Sequence, residues 1–598
     1  MGAAPSRPNP CASTSFVPMW VISIENFQKL DHMPKHEELM KAGLLVKRQE
    51  THFCIFVSHQ WLGTTHPDPH LRQLPVLQAA LKNILTGRCT AQSDLASQFF
   101  GESKQLSQQE LQRLQNGYIW LDWFSIPQEA DLAGSLLVDN LTADGTNSPA
   151  SSDIAHLLSG SSVSSATDQD LYIKSIPFFV EVSDIFLALV PHLYHHDTMQ
   201  KCNFRSYLMR GWCRLEMWCS ILCVKPDQPF LVVKGSDEVE FATSMILTDR
   251  PPHEGRFTLK ADRQTVYLVM RRALQNQLRA LRSAQHWDSY RFTLARSETL
   301  LGEKSTGRSL DTFLRDFEFE SLDTAKRIRG IGPVECAVLS NDVSMIRRLA
   351  EDGFDLSRKV TAKINVEILQ HGRSALDFAL ELCWRRPEVI LQLLECKANV
   401  HHTDDNGFSP LGACKTADAV ELLLKYRAEV NETSGPLHCS PLSLCCVRCA
   451  PGEVIAKLIQ SRADVNPPSK ALGSPNPLAN LAVWSCSNPH CFEAADLLLD
   501  ARADINMCCE AQGIFKAIEM FSRARIQLLG SDSLLVHFFA EWTTTPVGFA
   551  CFYGGAEFVE FLLAKGADPH KQNARGNTAF QLARGQSVLK VIEDFRSV

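Results

Sequence analysis

The chain has 598 residues, 45% apolar and 21% charged, an ordinary soluble composition spread over too much length for one core, so two to four domains are expected. Its 60 Lys and Arg against 67 Asp and Glu give a net charge of −7, without the basic excess of a dedicated nucleic-acid binder. The 20 cysteines are scattered, no signal-peptide pattern opens the chain, and no apolar run nears the ~18 residues of a membrane span, which together predict reduced thiols in the cytoplasm.

Residues 1–47 read as a tail and leader. Met1-Gly2-Ala3-Ala4-Pro5-Ser6 fits the myristoylation pattern, which makes Gly2 a lipidation candidate beside the plainer reading of a Pro/Ser tail. One myristoyl chain binds membranes only marginally, so peripheral membrane association is expected only if Gly2 is acylated, with Cys11 as a second site.

Residues 48–235 alternate strand-like and helical stretches. Cys54–His59, Tyr118–Asp122 and Ile185–Val190 read as buried strands, and the helical material between them predicts a parallel sheet with crossover helices. Ser58, His59 and Asp122 then gather at the carboxyl edge, with Trp61, Trp123 and Phe124 as flat faces for a base or nicotinamide ring. Between the last two strands, residues 129–175 are rich in Ser, Asp, Gly and Thr and read as a mobile surface insertion. Arg210-Gly211-Trp212-Cys213-Arg214-Leu215-Glu216 reads as a helix returning to the strand ends, and it delivers Glu216 to the edge where α/β sheets bind nucleotides. The bland alternative is a surface carboxylate paired with Arg210 or Arg214. For His59 a hydrogen-bonded structural role is the plainer reading, and Trp212 and Trp218 read as core. No GxGxxG or GxxxxGK loop is present, which argues against a kinase, GTPase or dehydrogenase. Ser58 and His59 lack a third partner at a recognisable spacing, so a serine hydrolase is a weak reading.

Residues 236–330 read as a helical connector, with Thr265–Leu281 its clearest amphipathic piece. From 331 to 598 the chain repeats itself. Leu422–Asn431 recurs as Lys457–Asn466, Leu497–Asn506 and Phe561–His570, with a fifth copy at Gln392–His401. Ser409-Pro410-Leu411, Ser440-Pro441-Leu442, Asn476-Pro477-Leu478 and Thr545-Pro546-Val547 supply a helix cap, a first-turn proline and an inward apolar residue. Cys439, Cys445, Cys446 and Cys449 lack paired C-x-x-C spacing and read as small helix-packing residues, so no metal is expected.

These repeats resemble the ankyrin repeat, and about seven units are expected, some degenerate. A gap of 64 residues between Asp504 and Asp568 implies a degenerate unit or a helical insertion. The family's glycine before Ala-Asp survives only as Gly566; Lys397, Arg427, Arg462 and Arg502 replace it, as a basic column or as solvated or paired side chains.

The N-terminal block resembles Toll/interleukin-receptor (TIR) and heterokaryon-incompatibility domains. The TIR likeness lies in Phe56-Val57-Ser58-His59 and Trp212-Cys213-Arg214-Leu215-Glu216. The incompatibility likeness lies in Ser58-His59-Gln60-Trp61-Leu62-Gly63, Trp120–Gln128 and Arg210-Gly211-Trp212. The resemblance implies a flavodoxin-like α/β sheet followed by an all-α ankyrin solenoid. It implies a signalling scaffold with a protein partner on the repeats and a TIR-like domain that self-associates. It also implies an alternative, a NAD glycohydrolase in which Glu216 is essential, NAD is the substrate and no cofactor is required. The glycine-bearing loop common after the second TIR strand is replaced here by Ser125-Ile126-Pro127-Gln128.

Overall fold

The computed structural model describes residues 15–93, 104–128, 168–223, 228–242, 250–304, 307–361, 372–433, 439–467, 476–485, 488–530, 533–553 and 555–596. The lipidation candidate Gly2 and residues 129–167 of the Ser/Gly-rich insertion lie outside them. The end of that insertion was expected to be loop, but Asp168–Lys174 is a helix whose Tyr172 is buried and accepts a hydrogen bond from Trp20 Nε1 at 3.1 Å.

Ten strands form among the described residues: β1 Trp20–Ser23, β2 Leu45–Lys47, β3 Cys54–His59, β4 Gln92–Ser93, β5 Tyr118–Leu121, β6 Ile185–Leu189, β7 Leu193–Tyr194, β8 Lys201–Cys202, β9 Phe230–Val233 and β10 Val239–Phe241. Eight of them make one sheet in the order β2-β1-β5-β3-β6-β9-β10-β4. The middle four, β5-β3-β6-β9, are parallel, whereas β1 runs antiparallel to both neighbours and β10 antiparallel to β9. The sheet is therefore mixed, which corrects the all-parallel expectation. It also recruits β1 and β2 from the segment read as leader, and β10 from the segment read as connector.

Strand alternation explains the layers. On β3, Cys54 and Phe56 face the helices Ile176–Val182, Gly211–Ile221 and Asp262–Ser283, and Phe56 stacks between Trp120 and Phe186 at 4.3 and 5.6 Å. Ile55 and Val57 face the opposite side, with Leu74, Leu77 and Leu81 of helix Gln73–Leu85. Both faces are covered, so the central strands carry no polar face and read as continuous apolar runs.

The connector divides between the two bodies. Val266, Val269, Met270 and Leu274 of helix Asp262–Ser283 belong to the sheet's core, whereas Phe292 and Ala295 of helix Trp287–Leu301 belong to the repeat core.

The repeat region contains seven stacked units among the described residues, with second helices such as Ala417–Lys425, Gly452–Gln460, Cys491–Asp500 and Ala556–Ala564. Ser440, Asn476 and Thr545 cap their first helices by accepting from Ser443, Ala479 and Gly548 amides at 3.2, 2.8 and 3.3 Å, each followed by proline in the first turn. At Pro410–Ala413 and Ala579–Leu582 the first helix shrinks to one 3-10 turn. Leu423, Leu458, Leu498 and Leu562 are fully buried at equivalent places.

An asparagine column ties the hairpins together. Asn431 Oδ1 accepts from Asp464 N at 2.9 Å, Asn466 Oδ1 from Asp504 N at 2.8 Å, and Asn506 Oδ1 from Asp568 N at 2.8 Å. The last bond crosses the long gap in sequence with unchanged geometry. The gap is therefore a helical insertion, Gly513–Leu529 and Leu534–Ala540, that leaves the stack unbroken. Lys397, Arg427, Arg462 and Arg502 adopt left-handed φ of 65–72°, a conformation that costs a non-glycine residue about 1 kcal/mol. All four are exposed, and none forms an ion pair among the described residues.

The solenoid curls back onto the sheet. Arg205 pairs with Glu557 and lies over the Phe492 ring at 4.8 Å, while Lys201 Nζ is 3.6 Å from Glu557 and 3.9 Å from Glu560. Leu534 N donates to Gln92 Oε1 at 2.9 Å, joining the insertion to β4.

Candidate functional site

Glu216 is placed by a tightly moored helix. Gly211 opens it where a side chain could not fit, because a Cβ there would lie 2.0 Å from the Phe257 ring. Gly211 N then donates to Arg256 O at 2.9 Å. Trp212 Nε1 donates to Asp262 at 2.8 Å, Trp218 Nε1 to Arg250 O at 3.0 Å, and Arg214 to Leu208 O and Pro251 O at 2.7 and 3.1 Å. Trp212 and Trp218 are thus anchors of the helix. Arg214 clamps backbone carbonyls and Arg210 reaches Thr258 at 3.4 Å, so the surface-pair reading of Glu216 gives way to another partner.

That partner is Ser58. Its side chain leaves β3 on the same face as Phe56, toward helix Gly211–Ile221, and its Oγ donates to Glu216 Oε2. Tyr207, fully buried on the short helix Phe204–Tyr207, brings its hydroxyl within 2.6 Å of Ser58 Oγ. Burial is the largest influence on Glu216 and pushes its carboxyl up to about 8. Asp122 adds to the rise, while the Ser58 hydrogen bond and His59 oppose it. Burial likewise raises the Tyr207 hydroxyl well above its ordinary range.

His59, one residue on, points to the other face of the sheet. Nδ1 lies 2.8 Å from Gln73 Oε1, and Nε2 lies 2.9 Å from Asp122 Oδ1. Gln73 Nε2 donates to Gln60 O at 2.8 Å, so Oε1 is the acceptor and Nδ1 carries a proton. Asp122 accepts from Trp61 Nε1 at 2.9 Å and from Trp123 N at 2.6 Å, as an ionised carboxylate does. The bond to His59 then requires a proton on Nε2 as well, and the imidazole is an imidazolium. Burial, the largest influence, disfavours that charge, but Asp122 and the two hydrogen bonds outweigh it and hold the His59 pKa above its ordinary value. For Asp122 burial again works against the charge, and His59 prevails to lower the carboxyl. With both nitrogens engaged, His59 is a latch between β3, β5 and helix Gln73–Leu85 and not a free base.

The aromatic platform is corrected in part. Phe124 is fully buried edge-on to Phe27 at 6.3 Å, and Trp123 is buried with Nε1 donating to Met33 O at 3.2 Å, so neither offers a stacking face. Trp61 is half-buried and turned edge-on to Trp123. The structure thus forms two groups, Ser58 with Glu216 on one face of the sheet and His59 with Asp122 and Trp61 on the other, and withdraws Trp123 and Phe124 into the core. Sequence reasoning missed Tyr207 and Gln73, whose only signal was nearness to the Arg-Gly-Trp segment and to an apolar helix start. A cavity of about 780 Å³ lies elsewhere, where His192, Lys201 and Lys234 face Glu557, Lys590 and Phe595.

No curated protein matches this chain. Residues 544–574 match the ankyrin repeat family. That stretch is the unit that keeps Gly566, where four others carry Lys or Arg. Two solved ankyrin structures are similar to the chain. One is the human ASB11 ankyrin repeat domain, at 19% identity over 44% of this chain and 96% of that one, with a TM-score of 0.31. The other is the ankyrin repeat domain of Bcl-3, a unique member of the IkappaB protein family, at 18% identity over 44% of this chain and 100% of that one, with a TM-score of 0.29. The ankyrin repeats mark the C-terminal part as a protein-interaction scaffold, because stacked units present one extended surface. No helix among the described residues is long and apolar enough to cross a membrane.

Proposed function

We propose that the chain is a signalling protein in which the repeat solenoid captures a protein partner and the N-terminal domain is a TIR-like effector that cleaves NAD through Glu216. The observation that carries this reading is the strand order. The four parallel strands run second, first, third, fourth in chain order, an order that flavodoxin-like sheets share, and it reverses direction at β3. Ligands of such sheets bind beyond the strand ends at that reversal, and Ser58, near the end of β3, carries the bond to Glu216 there.

The chemistry follows from the carboxyl. Cleavage breaks the bond between ribose C1′ and the nicotinamide nitrogen, the electron pair leaves with nicotinamide, and water attacks C1′. An ionised Glu216 would stabilise the positive charge that develops on the ribose and hold its hydroxyls. A half-buried carboxyl with a raised pKa beside a polar chain is a feature that concentrates at functional sites. Incubating the full chain with NAD and following nicotinamide tests the reading, with Glu216→Ala and Glu216→Gln as the inactive controls.

A second reading is supported by the withdrawn aromatics and the latched His59. In it the domain works by assembly, and Glu216 orders Ser58 and Tyr207. Absence of nicotinamide release from a chain that self-associates would favour it.

A further inference from the structure

The helical insertion in the solenoid carries a face that its own chain leaves open. Asn506 bonds to Asp568 across it, so the stack does not need helix Gly513–Leu529 for continuity. One side of that helix is used: Phe515 stacks on Trp542 at 5.8 Å, and Arg523 Nε donates to Ala540 O at 3.3 Å. Buried Glu519 accepts from both Lys516 and Arg523, so both cations are engaged. The rest of the helix surface exposes Ile514, Met520, Phe521, Leu528 and Leu529, and the last three, at 70, 81 and 82%, are the most exposed large apolar residues among those described.

Ile514, Ala517, Phe521, Ala524 and Leu528 follow at steps of three, four, three and four, the spacing of a coiled-coil seam, with Ala517 and Ala524 also exposed. We propose that this seam is a self-association surface on which a second copy of the same helix packs antiparallel about a two-fold axis. In that register Phe521 faces Ala517 of the second copy and Ile514 faces Ala524, so these two large side chains each meet a small one on both sides of the axis, while Leu528 reaches past the start of the second helix at Gly513. A closed two-fold contact demands this self-complementarity. A membrane-seated face gains from bulk at every position and has no use for the two alanines; Lys516 and Arg523 are held by Glu519, and Arg525 is an exposed cation beside the seam. Covering Ile514, Phe521 and Leu528 removes about 400 Å² per copy, the size of a weak, transient contact, so the dimer depends on concentration. The proposal is independent of NAD cleavage.

The register makes the test specific. Sedimentation velocity of the full chain should show a concentration-dependent monomer–dimer equilibrium that Phe521→Glu abolishes, with an unchanged thermal midpoint because the site is exposed. Phe521→Ala leaves Ala against Ala, and Ala517→Phe sets Phe against Phe, and each should weaken the dimer about tenfold. The double variant Ala517→Phe with Phe521→Ala exchanges the partners and should restore affinity to within about threefold. A wild-type chain monomeric to about 100 μM overturns the proposal. So does an unrescued double variant. Flotation of a monomeric chain with phosphatidylserine vesicles, lost in Phe521→Glu, overturns it in favour of a membrane surface.

Discussion

Replacing Glu216 by Gln isolates what burying this carboxyl does to stability. The folded chain holds the group at about 8 against an ordinary 4.5, a difference equivalent to roughly 5 kcal/mol if fully expressed. Glu216 keeps partial contact with solvent, and about half of that, 2–3 kcal/mol, is the reasonable expectation. Between pH 4.5 and 8 the folded state binds the proton that the unfolded state has released, so stability falls as pH rises through this window. Gln stays neutral throughout while keeping the shape and an acceptor for Ser58. Wild type and Glu216→Gln should have similar urea midpoints near pH 5, and the variant should be more stable by about 2–3 kcal/mol at pH 9. Parallel stability curves from pH 5 to 9 would refute the claim that the carboxyl is desolvated against Ser58.

Leu423→Ala and Leu498→Ala should each cost about 2–5 kcal/mol in thermal or urea unfolding, since both side chains are fully buried in the repeat core; near wild-type stability in both would contradict that packing. Asn506→Ala should lower stability by about 1 kcal/mol, because it frees the Asp568 amide that spans the insertion, and an unaltered midpoint would remove the column from the account. Arg205→Glu should detach the last repeats from the sheet and raise amide exchange in residues 201–207 and 556–564. Adding Glu557→Arg should restore protection, and persistent exchange in the pair would deny the clasp.

The repeats were legible because one unit cannot hide its apolar face alone, so the same leucines recur wherever a neighbour covers them. Gly566 and its four basic substitutes were readable as a left-handed position for the same reason. The column of Asn431, Asn466 and Asn506 was visible as a recurrence, while its partner, the next hairpin's amide, is a property of stacking. In the N-terminal domain β3, β5 and β6 announced themselves as apolar runs. Trp20–Ser23 and Leu45–Lys47 are too short for a periodic signal, and only the pairing of β1 with β5 and of β2 with β1 makes them strands. The site was half visible. Strand parity sends Ser58 to one face and His59 to the other, but the residues that meet them, Tyr207 and Gln73, come from helices whose crossing no local pattern encodes. Phe124 looked like a ligand platform because flanking polarity suggested an edge, whereas the turn Asp122–Ser125 folds it under Phe27.

Nicotinamide release from NAD by the full chain, measured from pH 6 to 9 at high protein concentration, tests the central claim most directly. The account predicts release that rises with pH as Glu216 ionises around 8, and its loss in both Glu216→Ala and Glu216→Gln while the fold persists. Release that continues unchanged in Glu216→Ala, or no release from the wild-type chain under any of these conditions, would contradict it.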